Sequence, residues 1–311
     1  MSTGIQLIKD FLVRLGPDSP LVHAALKAHA RRRSFEIRYS ADCIILRKSG
    51  HEMVLGKAQY IQVPQMMELF DFYFNTVESQ NIDGRTVLDF SKPGLHRYIR
   101  SQMSFYFPSL PEDDVMDAYT HSYTPQVGDV VWDVGAHAGA TAYFFGKMVG
   151  PYGKVYAFEP DANNFEYLKR NIDLHGLTNV IPLKKALSGS SGVAEFCMDG
   201  TAAVGLSEYL SYSDKRRFRP VSTITLPDAC TELGEVPKYI KMDIEGAEVA
   251  AVEAAKDFLA NHPIHFSIES NHPLHGELTY KPLDRLFSSI GYTTWFSDQF
   301  GQMFTWAKPH V

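Results

Sequence analysis

Three short stretches place acidic side chains and glycines at the ends of apolar runs. The first is VVWDVGAHAGATA, Val130 to Ala142, where Asp133, Gly135 and Gly139 follow a strand-like run and precede a helix-like one. Gly135 allows close backbone approach and Gly139 allows tight helix packing. The N–H groups at the start of the following helix suit a carboxylate, and Asp133 suits an ammonium. The second is KVYAFEPD, Lys154 to Asp161, whose Glu159 ends the next apolar run. A carboxylate there can accept from both hydroxyls of a ribose. The third is YIKMDIEGAEVAAVEAA, Tyr239 to Ala255, which gathers Asp243, Glu245 and Glu248 at one turn. Glu245 and Glu248 are accounted for as helix-capping charges, which leaves Asp243 for chemistry.

These stretches describe a nucleoside site whose ligand they leave open between NAD and S-adenosylmethionine. The glycine spacing favours the second. A dinucleotide fingerprint needs Gly-x-Gly-x-x-Gly, and Ala136 and His137 interrupt it.

The elements that must position these residues are legible from Gly128 onward. Strand-like runs DVVWDV, KVYAFE, VIPLKKA, VAEFCM, VSTITL, KYIKMDI and IHFSIES are punctuated by helices expected from about Thr141, over Ala162 to His175, over Ala247 to Leu259 and over Leu283 to Ile290. Such exchange means βαβ units and a parallel sheet. The last two runs, YTTWFS and MFTWAK, are joined by the short loop Asp298 to Gln302, too short for a crossover, so they pair antiparallel. The earlier part reads differently. Helices are expected over Ile5 to Leu15, from Pro20 to about Arg33, and over Val63 to Val77. An antiparallel meander is expected over Phe35 to Tyr39, Cys43 to Arg47 and Glu52 to Leu55, with a strand at Thr86 to Phe90. Pro108 and Pro111 mark a soft boundary, after which Glu112, Asp113 and Asp114 open a helix. The division is therefore 1–110, an α+β lid or oligomerisation region, and 111–311, the ligand-binding domain.

The four segments GDVVWDVGAHAGATA, VYAFEPDANNFEYLKRNI, VIPLKKALSGSSG and YIKMDIEGAE, in that order, resemble the FkbM-type methyltransferase family. FPSLPEDDV and HRYIRSQ resemble its entry region, so the likeness spans Leu95 to Lys308. It implies an α/β class I methyltransferase fold: a Rossmann-like sheet, mostly parallel with an antiparallel last strand, carrying an N-terminal α+β extension. It also implies S-adenosylmethionine as donor and a hydroxyl as acceptor. By the family pattern Asp133, Gly135, His137, Gly139 and Thr141 line the methionine end. Glu159 and Pro160 hold the ribose, Ala186, Leu187 and Ser188 lie near the adenine, and Asp243 lies near the reacting methyl. His137 stands where many members have Asn.

An alcohol acceptor must lose its proton, to a base or with the help of a metal. His272, just past the fifth strand, is the base candidate, with Asp243 and Glu269 beside it. A loop histidine bonded to backbone is the plain alternative. Related hydroxyl methyltransferases hold magnesium at the ends of the fourth and fifth strands, where Asp243, Glu269 and Asn271 stand here. His262, His265, His272 and His275 do not make a zinc site, because His262 and His272 lie at opposite ends of one strand.

Composition bounds the rest. The chain has 30 basic and 36 acidic residues, a net charge of −6 and a pI near 6.1, so a nucleic-acid partner has no general support. Three dispersed cysteines make no disulfide framework, and a reducing cytoplasm fits. No apolar run approaches the roughly 18 residues of a membrane span. Lys215, Arg216, Arg217 and Arg219 form either a solvated loop or a clamp for an anionic acceptor. Phe105, Tyr106, Phe107, Tyr209 and Tyr212 either wall an acceptor pocket or pack the two parts together. The expected partner is thus a small-molecule or glycan acceptor, with a homodimer the option for the N-terminal surface. Two other functions stay in view: an NAD-dependent oxidoreductase and a non-catalytic S-adenosylmethionine-binding module.

Overall fold

The computed structural model describes residues 15–112, 116–197 and 218–310. The chain forms two compact units, one ending at Pro111 and the next beginning at Glu112. Expectations on Ile5 to Leu15 (beyond Leu15 itself), Asp113, Asp114, Tyr209, Tyr212 and Lys215 to Arg217 fall outside the described residues.

The first unit opens with helix α1 (Pro20–Arg32), with Pro at its first turn, a position where its missing N–H costs nothing. The meander β1 (Glu36–Tyr39), β2 (Cys43–Lys48) and β3 (His51–Gly56) is antiparallel as the alternation requires. The helical stretch from Val63 is two helices, α2 (Val63–Glu68) and α3 (Phe70–Thr76), interrupted at Leu69, where ψ is 5°. That detour returns the chain so that β5 (Arg85–Phe90) pairs parallel with β3, and β4 (Gln80–Ile82) pairs antiparallel with β5. The sheet order is β1-β2-β3-β5-β4. A hairpin of β6 (Gly94–Arg97) and β7 (Ser104–Phe107) follows. Phe105 and Phe107 are fully buried there, with ring contacts to Tyr98.

The second unit begins with the short helix α4 (Met116–Tyr119), then β8 (Val130–Val134), α5 (Ala140–Val149), β9 (Lys154–Phe158), α6 (Ala162–His175) and β10 (Val180–Leu183). The side chain of Asp161 accepts from the N–H groups of Asn163 and Asn164, and Gly176 ends α6 with φ +59°. Both termini therefore match the cap chemistry that the sequence carries. After the small strands β11 (Ala186–Leu187), β12 (Gly192–Cys197) and β13 (Phe218–Ile224) come α7 (Leu226–Leu233) and β14 (Tyr239–Met242). Helices α8 (Glu248–Ala254) and α9 (Lys256–Leu259), β15 (His265–Glu269), the hairpin β16 (Pro273–Leu274) and β17 (Glu277–Leu278), α10 (Tyr280–Ser289), β18 (Tyr292–Ser297) and β19 (Phe304–Pro309) complete it.

Seven strands form one sheet in the order β10-β9-β8-β14-β15-β19-β18. Every pairing not involving β19 is parallel; β19 runs against both of its neighbours. Numbered along the sheet's own strands this is 3-2-1-4-5-7-6, the class I methyltransferase arrangement expected above. The buried runs of β8, β9, β14 and β15 reflect helices on both faces, and Trp132, Phe158, Ile240 and Phe266 fill the core.

Two runs that read as members of the strand–helix exchange lie elsewhere. VAEFCM and VSTITL pair with each other and with β11 in a separate three-stranded sheet. Their exposed positions (Val193, Glu195, Arg219) suit a half-solvated satellite, not a sheet covered on both faces.

The chain leaves β8 outward to β9 and β10, then returns to β14 on the other side of β8. The β8–β14 crevice is thus the switch point where α/β sheets bind ligands. No helix among the described residues is long and apolar enough to cross a membrane.

Candidate functional site

The β8 loop is built on Gly135. Its φ is +80°, and a Cβ there would overlap the Asp243 carbonyl on β14's loop, so only glycine brings the two strand ends together. The N–H groups of Gly135 and Ala136 both donate to the Phe158 carbonyl, at 3.0 and 2.9 Å. Gly139, with φ +88°, would push a Cβ to 2.5 Å from the Leu168 side chain, so its absence lets α5 settle against α6.

Asp133 is fully buried. Its Oδ2 accepts from Thr141 Oγ1 at 2.6 Å, and its Oδ1 lies 3.1 Å from Lys241 Nζ. Lys241 also donates to the Gly135 carbonyl at 2.7 Å, and its ammonium sits 5.3 Å from the Tyr119 ring centre. Burial pushes the Asp133 carboxyl up, against Lys241 and Thr141. Burial alone would lower the Lys241 ammonium, yet Asp133 and the carboxylates behind it raise it, so Lys241 stays charged. In this conformation the carboxylate is sealed from solvent and engaged by Lys241 and Thr141. Lys241 was missed in sequence, though a signal existed: a lysine inside an otherwise apolar central strand needs a buried partner. The ladder supplies it, since Lys241 and Asp133 are register partners.

His137 adopts φ +47°. Its N–H donates to Glu159 Oε2 at 2.8 Å, while Glu112 Oε1 takes the Ala138 N–H at 3.0 Å and faces His137 Nδ1 at 3.1 Å. Two loop N–H groups expected to receive the donor's carboxylate are thus taken by the chain's own carboxylates. Glu112, from the acidic run expected to open a helix, reaches the donor loop. Glu159 is buried, and its Oε1 accepts the Asp161 N–H at 2.8 Å. Burial pushes its carboxyl up to about 7, against the pull of His137. Burial lowers the His137 imidazole, but Glu112 and Glu159 more than offset that, so its affinity for a proton is raised. Pro160 and Thr141 flank these residues. Ala186 and Leu187 lie on β11 beside β13, and the Ser188 N–H donates to the Ile224 carbonyl at 3.0 Å.

The acidic edge is the second half of the site. Asp243 follows β14 and Glu269 ends β15; Met242 and Ile268 are register partners, so the two carboxylates emerge from adjacent strand ends. Glu245 has φ +56°, a region that an ordinary side chain enters only where the surroundings hold it. Glu248 is fully buried; its Oε1 takes the Ile244 N–H at 3.0 Å and its Oε2 the Gly246 N–H at 3.0 Å. These bonds tie down the turn before α8. His272, also buried, places Nδ1 3.0 Å from Glu248 Oε1, and Nε2 3.5 Å from Glu245 and 3.7 Å from Asp243. Burial raises the Glu248 carboxyl, but His272 and the backbone N–H groups together more than offset that, and the net shift is down. Burial lowers His272, but Glu248 and Glu245 lift its imidazole well above its ordinary value.

His272 is thus enclosed by the carboxylates of Glu248, Glu245 and Asp243, and the Asn271 amide nitrogen donates to Gln302 at 3.0 Å. Among the described residues, Asp243, Glu269 and His272 offer ligand atoms within 4.8 Å of one another. His262 stacks on Phe258 and His265 on Tyr123, away from this edge.

A family model described as "Methyltransferase FkbM domain" matches residues 133–305. No curated protein matches the chain. Among solved structures, an S-adenosylmethionine-dependent methyltransferase from Aquifex aeolicus is similar at 15% identity and TM-score 0.38, over 63% of this chain and 93% of that one. A methyltransferase FkbM from Methylobacillus flagellatus is similar at 13% identity and TM-score 0.41, over 92% of this chain and 58% of that one. Fibrillarin from Aeropyrum pernix, with natively bound S-adenosyl-L-methionine, is similar at 12% identity and TM-score 0.40, over 88% of this chain and 97% of that one.

Proposed function

Because the chain belongs to the FkbM methyltransferase family and is an S-adenosylmethionine-dependent methyltransferase, we propose that it methylates a hydroxyl of a small molecule or glycan at the acidic edge of β14 and β15. Family membership sets aside the NAD-dependent and non-catalytic alternatives. The observation that carries the reading is the half-exposed carboxylate of Asp243, across the switch-point crevice from the β8 loop. An alcohol acceptor needs a partner for its proton, and Asp243 is a partly exposed carboxylate beside the crevice.

The residues present fit the donor. Each oxygen of Glu159 accepts one backbone N–H, and a carboxylate offers about four acceptor sites, so capacity remains for two ribose hydroxyls. S-adenosylmethionine supplies an electrophilic methyl group when bound. The chain's own residues do the rest. Lys241 and Asp133 lock the floor of the crevice. Gly135 and Gly139 admit the β8 loop to it. Asp243 orients the acceptor hydroxyl and receives its proton, with His272 Nε2 beside it at 3.7 Å. Positioning of this kind can supply roughly 7–11 kcal/mol of the barrier.

The test is methyl transfer from isotopically labelled donor to a panel of hydroxylated small molecules and glycans, with S-adenosylhomocysteine binding measured in parallel. Binding with transfer to oxygen supports the reading. Binding with transfer only to nitrogen or carbon acceptors overturns it.

A further inference from the structure

We propose that Asp243, Glu269 and His272 bind a divalent first-row transition cation. The ligand atoms converge because of the topology. Asp243 is the residue after β14 and Glu269 the last of β15, and these strands are parallel neighbours in register. His272 enters from the following turn, held by the Thr279 N–H donating to its carbonyl at 2.9 Å and by the β16–β17 hairpin. The three ligand atoms lie within 4.8 Å of one another, so small side-chain shifts that close the span below about 4.4 Å would seat a cation about 2.0–2.2 Å from each.

A second observation is independent of this convergence. Histidines that ligate metals hold their other ring nitrogen against a carboxylate or carbonyl, which fixes the ring. His272 has that arrangement. Its Nδ1 lies 3.0 Å from Glu248 Oε1, and Glu248 is itself fixed by the N–H groups of Ile244 and Gly246. Nε2 is thereby turned towards Asp243 and Glu245, at 3.7 and 3.5 Å, longer than ordinary hydrogen bonds. The ring is buried and aimed at carboxylates from two strands.

One imidazole with two carboxylates departs from the all-oxygen set that magnesium prefers, and suits manganese or iron in the divalent state. Asp243, the least buried of the three, is the ligand nearest the crevice. Glu248 acts through His272 and is a positioning residue. This site stands apart from the acceptor's identity, because cation binding can be read without any methyl transfer.

Chelator-stripped protein is titrated with Mn2+ and followed by electron paramagnetic resonance and calorimetry, with Mg2+ as competitor. The expected result is one saturable site, nitrogen modulation of the bound-manganese signal, and preference for Mn2+ over Mg2+. His272→Gln should abolish the nitrogen modulation. Asp243→Asn, at a less buried position, should weaken affinity at least about tenfold, as should Glu248→Gln. Circular dichroism checks that each variant keeps its fold. No saturable Mn2+ binding by the folded wild type overturns the proposal. So does binding that lacks nitrogen modulation, or that both Asp243→Asn and His272→Gln leave unchanged.

Discussion

Glu159 and Glu248 are both fully enclosed carboxylates at the carboxyl edge of one sheet, and both accept backbone N–H groups, yet their proton affinities move in opposite directions. Glu159 rises to about 7 because burial dominates. Glu248 falls because His272 and the backbone N–H groups it accepts together offset burial. The difference lies in how each histidine is shared. His137 contacts Glu159 through its backbone N–H and gives its ring to Glu112. His272 brings its ring directly against Glu248. The donor side therefore keeps a carboxyl near neutrality that a ribose diol can drive to ionise. The acidic edge instead sets an imidazole ring directly against its carboxylate.

The largest effect that can break this comparison is expected at the edge. Asp243→Asn should lower turnover by about 10²–10⁴-fold while leaving S-adenosylhomocysteine affinity nearly unchanged, as steady-state kinetics and calorimetry would show. Equal losses in both would mean the two halves are not separable. Next is Lys241→Met. It leaves Asp133 buried without its cation, a cost of about 3–5 kcal/mol, to be measured by urea denaturation. A change below about 1 kcal/mol would remove the ion pair from the account.

How much of this was legible beforehand depends on sequence distance. The helix over Ala162 to His175 and the antiparallel last strand come from local patterning, and each appears in the fold. Glu112 reaches His137 across 25 positions, and Lys241 reaches Asp133 only once β14 is laid beside β8. Neither contact has a local signature. Glu248 looked like an ordinary cap because its capping bonds are local, whereas its histidine arrives from β15's far side. His272 was singled out in sequence, but the three carboxylates around its ring come from a distant turn and had no local signature.

A third prediction concerns pH. The folded Glu159 carboxyl lies above its ordinary value, so the folded state binds the extra proton. Its stabilising contribution is complete below about 4.5 and is lost as pH rises through about 7. Donor binding runs the other way, since ribose hydroxyls donate to the ionised form. S-adenosylhomocysteine affinity should rise about tenfold from pH 6 to pH 8, and Glu159→Gln should flatten that rise. An unchanged slope would assign it to another group. The smallest effect is expected from His137→Asn. Asparagine tolerates the left-handed backbone, and loss of the Glu112 contact should change stability by only about 1 kcal/mol, read from thermal unfolding.

The central claim is oxygen methylation at the Asp243 edge. Its most direct test is a reaction with donor carrying a 13C-labelled methyl group, followed by NMR of the product. The account predicts a methoxy carbon resonance from the wild type and none from Asp243→Asn. A labelled N-methyl or C-methyl product, or a methoxy product formed undiminished by Asp243→Asn, would contradict it.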